Sequence, residues 1–153
     1  IHIISGIEEA RLIYQGVAHS LSGQANIRFV MDIGGGSTEY IIGTGNTPLD
    51  KESLPMGCVT ISKLFFKHGK LSKSAFNDAV LFAQRRLEPF QLKFQRKHWE
   101  QAIGSSGSLR AIDKVLIAKN WSKNGITREG LEQLVQHIMT CSNVYGLNLP
   151  ELD

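Results

Sequence analysis

The clearest hydrophobic pattern in the chain is a pair of apolar segments separated by glycines, over residues 29–42. The first segment ends in Asp32, and the second begins directly after Glu39. Apolar runs on either side of a glycine turn predict two antiparallel strands joined by a hairpin. With the turn centred on Gly35 and Gly36, Asp32 falls opposite Glu39, and opposed residues have Cβ atoms about 4.5–5.5 Å apart.

The residues at this turn predict a phosphate site. Two carboxylates that lie so close repel each other unless a cation or a shared proton lies between them. Successive backbone N–H groups and two hydroxyls follow Asp32, and together they predict a cradle in which Mg²⁺ bridges a phosphate to the two acids. The alternative is an ordinary glycine hairpin with a solvated acid on each strand, because turns favour glycine. The cradle residues are Gly34, Gly35, Gly36, Ser37 and Thr38.

Helical spacing of apolar residues predicts a helix that precedes the hairpin. Ser5 is placed to cap it, and Glu8 occupies the position of a capping-box acid. Ala10 and Tyr14 belong to its apolar stripe. Glu9 points along a different face, where the helix dipole alone would favour an acid in the first turn.

The pattern after the hairpin predicts a third strand over 49–56 and a short helix from Gly57. A long helix follows from Leu71, and Pro89 is expected to kink or restart it because proline lacks an N–H donor. Phe90 and Phe94 are expected to continue its apolar side. A fourth short strand over 99–103 leads into a helix and then a last amphipathic helix. The basic residues of this part are interpreted as a solvated face, with a guide for a long polyanion as the alternative. They are Arg85, Arg86, Lys93, Arg96 and Lys97.

A second glycine loop joins the fourth predicted strand to a helix. A strand, a Gly/Ser loop and a helix N-terminus together provide free N–H groups and a favourable dipole for an anion. Many such turns use Gly and Ser, so the pattern indicates an anion site only weakly. The loop residues are Gly104, Ser105, Ser106, Gly107 and Ser108.

The order of these elements predicts an α/β, ribonuclease H-like fold. We expect a mixed sheet of three antiparallel strands with the fourth strand parallel beside the first, flanked by helices. At 153 residues, 42% hydrophobic and 20% charged, the chain is expected to form one globular domain over residues 1–153. No internal repeat or low-complexity segment is present.

Charge and cysteine content narrow the class of protein. The net charge of +3 and the pI of about 9.0 are compatible with an anionic ligand but do not demand nucleic acid. No apolar run is long enough to cross a bilayer and no signal-peptide pattern is present, so we expect neither a nucleic-acid nor a membrane partner. Cys58 and Cys141 lack metal-binding spacing and are interpreted as reduced thiols of a cytoplasmic protein.

Four segments in combination resemble a known family. They are residues 4–19, the D-I-G-G-G-S-T-E segment 32–39, the L-P-M-G-C-V-T segment 54–60, and the loop 104–108. The chain resembles the exopolyphosphatase / guanosine pentaphosphate phosphohydrolase (Ppx/GppA) family throughout its length. The resemblance implies the actin-like ATPase superfold, in which two ribonuclease H-like domains close over phosphate groups, and this chain is similar to the second domain.

The resemblance also implies roles for individual residues. Glu9 matches the family's catalytic glutamate, a general base for the attacking water, and Asp32 and Glu39 match acids associated with Mg²⁺. The first glycine loop matches a phosphate-holding loop, and loop 104–108 lies where relatives in the superfold contact a nucleotide. The implied reaction releases orthophosphate from inorganic polyphosphate or converts guanosine pentaphosphate to tetraphosphate, with a slight preference expected for the latter.

The resemblance further implies a longer, homodimeric parent protein. The family's first domain, the end of the second and the C-terminal helical domain are not among these residues, and the chain begins without Met, so we expect a fragment that is inactive by itself. The edge of the strand over 99–103 is expected to be unpaired and to promote self-association. Two alternative functions remain open: a non-catalytic module that binds or senses a phosphate or nucleotide, and a kinase of the same superfold.

Overall fold

The computed structural model describes residues 4–21 and 26–149. Within these ranges the chain forms five α-helices and four β-strands, together with short 3-10 turns. In chain order they are α1 (Gly6–Ser20), β1 (Arg28–Ile33), β2 (Thr38–Thr44), β3 (Thr47–Leu54), α2 (Cys58–Phe65), α3 (Lys73–Leu87), β4 (Gln101–Gly104), α4 (Gly107–Ala118) and α5 (Arg128–Ile138), with 3-10 turns at Lys67–Gly69, Arg96–His98 and Val144–Gly146.

The four strands form one mixed sheet in the order β3-β2-β1-β4. β1, β2 and β3 are antiparallel, and β4 is parallel to β1. This arrangement confirms the predicted sheet. Within the described part of the chain, no strand pairs with the outer edge of β4; self-association through that edge stays a prediction.

α1 covers one face of the sheet with a buried stripe. Ala10 and Tyr14 are fully buried, and they pack with Val30 of β1 and Ile41 of β2. The ring of Tyr14 lies over Gly43, where an added Cβ would be 2.3 Å from the ring carbon Cζ. Only a glycine allows this approach, so the residue at position 43 sets how closely α1 packs on β2.

The opposite face of the sheet carries an aromatic cluster. Phe29 lies 5.4 Å from Trp99 and 6.0 Å from Phe94, measured between ring centroids. Tyr40 joins it from β2, 5.9 Å from Phe94. Burial and, to a smaller extent, the charge of Glu39 together raise the pKa of the Tyr40 hydroxyl to about 12. Tyr40 is therefore uncharged at neutral pH.

The long helix predicted from Leu71 is shorter than the apolar pattern suggests. α3 ends at Leu87, and hydrogen-bonded turns follow over residues 88–94. Pro89 therefore ends the helix, since a proline inside it would lose a hydrogen bond and clash with a preceding carbonyl. Phe94, which the pattern assigns to the helical stripe, packs in the aromatic cluster instead. Two strands differ slightly from the predicted ranges. β3 begins two residues before the predicted range 49–56, and β4 begins two residues after the start of the predicted range 99–103.

No helix within residues 4–21 and 26–149 combines the length and the apolar character that a membrane span requires. The two cysteines, Cys58 and Cys141, are free thiols.

Replacing Gly16 by Ala is expected to stabilise the protein by about 0.5–1 kcal/mol, because glycine costs that much in an exposed helix interior. An added Cβ at Gly16 would meet nothing within 4 Å. The control is Gly6→Ala on the same helix, whose Cβ would lie 2.3 Å from Ser53 Oγ and should destabilise. Urea unfolding measures both changes. A loss of stability in Gly16→Ala would contradict the prediction.

Candidate active site

The two predicted acids lie opposite each other at the end of the β1–β2 hairpin. The register pairs Asp32 with Glu39 and Ile33 with Thr38, and residues 34–37 form the connection. Directly paired residues project from the same face of a sheet. Both carboxylates therefore lie on the face that α1 covers, and the predicted pairing is confirmed.

Glu39 lies between the hairpin and the start of α1. Its side chain is buried, with 1% of the residue exposed, and its Oε1 accepts a hydrogen bond of 2.8 Å from Ser53 Oγ on β3. Gly6 packs directly against Ser53, since an added Cβ would be 2.7 Å from Ser53 Cβ. The first turn of α1 thus lies at the acidic end of the sheet. Asp32 is only partly buried and is the more accessible acid of the pair.

The two acids in the first turn of α1 have different environments. Arg11 donates two hydrogen bonds to Glu8, of 2.9 and 2.7 Å. The hydrogen bond from Arg11 lowers the pKa of the Glu8 carboxyl most. Desolvation is the second-largest effect and opposes it, and the charges of Arg11 and Lys51 add smaller effects that lower the pKa. Ser5 Oγ does accept from the Glu8 N–H, as predicted, but the Glu8 carboxylate pairs with Arg11 rather than completing the capping box.

Glu9 is exposed, and no described residue forms a hydrogen bond or ion pair with its side chain. Successive helical residues are about 100° apart. Glu8 and Glu9 therefore flank the buried stripe of Ala10 and Tyr14 on opposite sides. Glu9 therefore lies on the side of α1 away from the Glu8–Arg11 pair.

The glycine loop 34–37 is held by the start of α2. The N–H groups of residues 57–60 and the Thr60 hydroxyl donate to the carbonyl oxygens of Gly34, Gly35 and Gly36, at distances between 2.9 and 3.2 Å. All three carbonyl groups therefore point toward α2.

This orientation determines where the N–H groups of the loop point. The described peptide bonds are all trans, and in a trans peptide the C=O and the following N–H point in opposite directions. The N–H groups of Gly35, Gly36 and Ser37 therefore point away from α2, and no residue of the described chain accepts a hydrogen bond from them. Successive backbone N–H groups that point the same way are an anion-binding arrangement, and the three at Gly35, Gly36 and Ser37 are called the phosphate nest.

Two of the predicted phosphate ligands are engaged within the protein. The N–H of Gly34 donates to the Ser37 carbonyl at 3.0 Å and closes the turn. The hydroxyl of Thr38, a residue only 3% exposed, donates to the Met56 carbonyl at 3.1 Å. Both residues shape the loop, so Gly35, Gly36 and Ser37 are the members that remain available to a ligand.

The second glycine loop lies at the same edge of the sheet, because the carboxyl ends of the parallel strands β1 and β4 meet there. The Ser108 hydroxyl donates to the Ile33 carbonyl at 2.9 Å, which ties the start of α4 to the end of β1.

The other residues of this loop are mostly engaged within the protein. Ser106 Oγ caps α4 by accepting from the Leu109 N–H, and the Ser105 N–H donates to the Met31 carbonyl. Gly104 is packed against Leu109, whereas an added Cβ at Gly107 would meet nothing within 4 Å. Most of this loop therefore has a structural role, and only its Gly107 end is open.

The described residues contain no group of three or more His, Cys, Asp or Glu side chains that could hold a metal ion. Glu9 therefore does not join Asp32 and Glu39 in a three-carboxylate cluster. A Mg²⁺ site needs less from the protein, since this ion is usually bound by one or two carboxylates together with waters and substrate phosphates. The Asp32–Glu39 pair beside a phosphate nest fits that requirement.

Sequence reasoning missed the residues that support the site. Gly57 and Thr60 hold the glycine loop, and Ser53 orients Glu39. The signal available was the segment 56–60, which opens a helix directly after the third strand, but the partners of that helix are far away in sequence.

Comparisons with known proteins identify the family and the fold of the chain. The sequence model described as the Ppx/GppA phosphatase family matches residues 1–153. An exopolyphosphatase structure from Cytophaga hutchinsonii is 24% identical with a TM-score of 0.78, and the match covers 98% of this chain and 51% of that one. A Ppx/GppA family member from Aquifex aeolicus is 23% identical with a TM-score of 0.72, covering 92% of this chain and 46% of that one. The chain thus spans about half the length of these structures, and the likeness confirms the predicted ribonuclease H-like, actin-like fold.

Proposed function

This chain belongs to the Ppx/GppA phosphatase family, and we propose that it forms part of a phosphoanhydride hydrolase. The substrate is inorganic polyphosphate or guanosine pentaphosphate, and the product released is orthophosphate. The observation that carries the proposal is the nest of three outward N–H groups at Gly35, Gly36 and Ser37 beside the paired acids Asp32 and Glu39.

The nest binds the terminal phosphate. Its N–H groups are fixed in direction before any ligand arrives, so they stabilise negative charge on the phosphate oxygens without reorganising. Catalysis of phosphoryl transfer depends mainly on positioning the reactants and on stabilising the negative charge distributed over the phosphate oxygens. The carbonyl groups of the same loop point toward α2 and do not repel the phosphate.

Asp32 and Glu39 are the residues that would hold Mg²⁺. When bound, the ion supplies positive charge to the phosphate oxygens. Ser53 keeps the Glu39 carboxylate directed through its hydrogen bond to Oε1. The partly buried Asp32 is the side chain that an ion in solution reaches first.

Glu9 is the general base. Its carboxylate is exposed and has no partner within the described residues, so it can accept a proton from a water molecule. The water oxygen then bonds to the terminal phosphorus while the bridging P–O bond breaks, and the shortened phosphate chain leaves with the bridging oxygen. Glu8 is unsuitable for this role because Arg11 occupies its carboxylate and lowers its pKa.

A non-catalytic binding or sensing module is the second candidate. It is favoured by one observation, namely that Glu9 does not form a cluster with Asp32 and Glu39 in the described chain. A phosphate nest alone is sufficient for binding. The two candidates differ in whether Glu9 is needed for turnover.

We propose a cytoplasmic location for the protein, supported by its two free thiols, Cys58 and Cys141. We also propose that the full-length protein is a homodimer and has neither nucleic acid nor membrane as a partner. The modest net charge of +3 supports the statement about nucleic acid.

The full-length protein is expected to release orthophosphate in the presence of Mg²⁺, faster from guanosine pentaphosphate than from polyphosphate, whereas the 153-residue chain alone is expected to release none. Asp32→Asn should raise the Mg²⁺ concentration needed for half-maximal rate by at least about tenfold, since even outer-shell partners cost that much. Asp50→Asn is the control, because Asp50 is an exposed aspartate in the middle of β3, paired with Ile42 and not with the acids of the hairpin end. Absence of release from both substrates by the full-length protein would overturn the proposed function.

A further inference from the structure

The hydrogen-bond donors in the first turn of α2 bind the carbonyl groups of the glycine loop 34–37. We propose that Thr60 is a positioning residue for the phosphate nest and that it acts through the carbonyl group of Gly36. The inference rests on the proposed function and assigns a role to a residue outside the acids and the loop.

The Gly36 carbonyl accepts two hydrogen bonds from this turn. Gly57 N–H and Thr60 Oγ1 both donate to it at 3.0 Å. The same peptide unit carries the Ser37 N–H, which is one of the three donors of the nest. Fixing the carbonyl therefore fixes the direction of that N–H group.

The loop needs this external support because glycine has little conformational preference of its own. An added Cβ at Gly36 would meet nothing within 4 Å, so packing does not restrain the residue. If the 36–37 peptide turned over, the nest would lose one N–H donor and present a carbonyl oxygen to the phosphate. The Thr60 hydroxyl opposes this turn by holding the carbonyl on the α2 side.

The close approach of α2 to the loop depends on Gly57. An added Cβ there would lie 2.5 Å from the backbone atoms of Gly34 and Gly35. These are backbone atoms with little freedom to shift, so a side chain at position 57 would separate the turn from the loop. Gly57 therefore permits the contact, and Thr60 completes it.

The experiment measures tripolyphosphate affinity by calorimetry, and KM and kcat for orthophosphate release from polyphosphate, in the full-length protein. Thr60→Val removes the hydroxyl at constant shape and should weaken tripolyphosphate binding and raise KM by about three- to tenfold, the equivalent of one hydrogen bond. Thr60→Ser keeps the hydroxyl and should restore both values. Gly57→Ala should weaken binding more than Thr60→Val does.

Thr140→Val is the matched control, because Thr140 Oγ1 also donates to a helix carbonyl, that of His137, at 2.7 Å and away from the loop. Thr60→Val and Thr140→Val should lower thermal stability by similar amounts, and only Thr60→Val should change affinity. Unchanged affinity in Thr60→Val, or failure of Thr60→Ser to restore it, would overturn the inference. A wild-type protein that binds tripolyphosphate without releasing phosphate would overturn the proposed hydrolysis but leave the positioning role intact.

Discussion

Glu9→Gln in the full-length protein is expected to lower kcat by about 10²–10⁴-fold, the usual contribution of a well-placed general base. The amide has nearly the shape of the carboxylate but cannot accept the proton of the attacking water. Since the nest lies on the loop and not on α1, tripolyphosphate affinity should be unchanged. Steady-state kinetics and calorimetry on the same preparation measure the two quantities.

The neighbouring acid provides the control for this experiment. Glu8→Gln removes the charge that pairs with Arg11 but leaves the Glu9 carboxylate in place, so turnover should remain close to that of the wild type. If Glu9→Gln keeps wild-type turnover, Glu9 is not the base. If the full-length wild-type protein binds tripolyphosphate but does not turn over either substrate, the protein is the binding or sensing module.

Tyr14→Ala is expected to destabilise the protein by about 3–5 kcal/mol, the range for deleting a buried aromatic ring. Tyr14 is fully buried between α1 and the sheet, and its ring fills the space that Gly43 leaves open. The other buried residues of α1 are Ala10 and Ala18, whose side chains are too small to fill that volume. Guanidinium unfolding monitored by circular dichroism measures the change.

Tyr14→Phe separates packing from hydrogen bonding. It keeps the ring and removes only the bond of 3.3 Å from the hydroxyl to the Gly45 carbonyl, so the expected loss is about 0.5–1.5 kcal/mol. A Tyr14→Ala variant no less stable than Tyr14→Phe would show that α1 is not anchored by this ring. The placement of the first turn beside Glu39 would then need another explanation.

The two predictions depend on the same helix. Tyr14 anchors the middle of α1 on β2, and Gly6 packs its first turn on Ser53, the partner of Glu39. The position of Glu9 along the sheet is therefore set by packing at Gly6, three residues before it, and at Tyr14, five residues after it. A change in the core of this helix should lower activity even where the acids are intact.

Local rules predicted the hairpin and its acids correctly. Strand residues alternate between two faces, and a four-residue glycine connection leaves one register that buries the apolar residues of both strands. Asp32 is therefore opposite Glu39 whatever the rest of the chain does. The N-terminal caps of α1 and α3 also depend only on neighbouring residues. The side chains of Ser5 and Ser72 each accept a hydrogen bond from the backbone N–H three residues further on.

The same local reasoning failed where a distant partner decided the outcome. The apolar spacing beyond Pro89 is helical, yet Phe94 is drawn into the cluster with Phe29 and Tyr40 from the sheet. The Thr38 hydroxyl, a candidate phosphate ligand from its place in the loop, is buried on the Met56 carbonyl. Sequence spacing carries no information about which of two available acceptors a hydroxyl will reach.

By itself, the sequence determined which groups are present at the site and which of them face each other across the hairpin, because strand pairing and turn length are short-range properties. Only the tertiary structure decided which of those groups remain available. The start of α2 takes up the carbonyl groups of loop 34–37 and turns three N–H groups outward, and the packing of α1 on β2 and β3 sets Glu9 apart from the Arg11-paired Glu8. The physical reason is that a group already hydrogen-bonded within the protein is not available to a ligand. Its partner lies in another element or on another face, so the local sequence does not specify it.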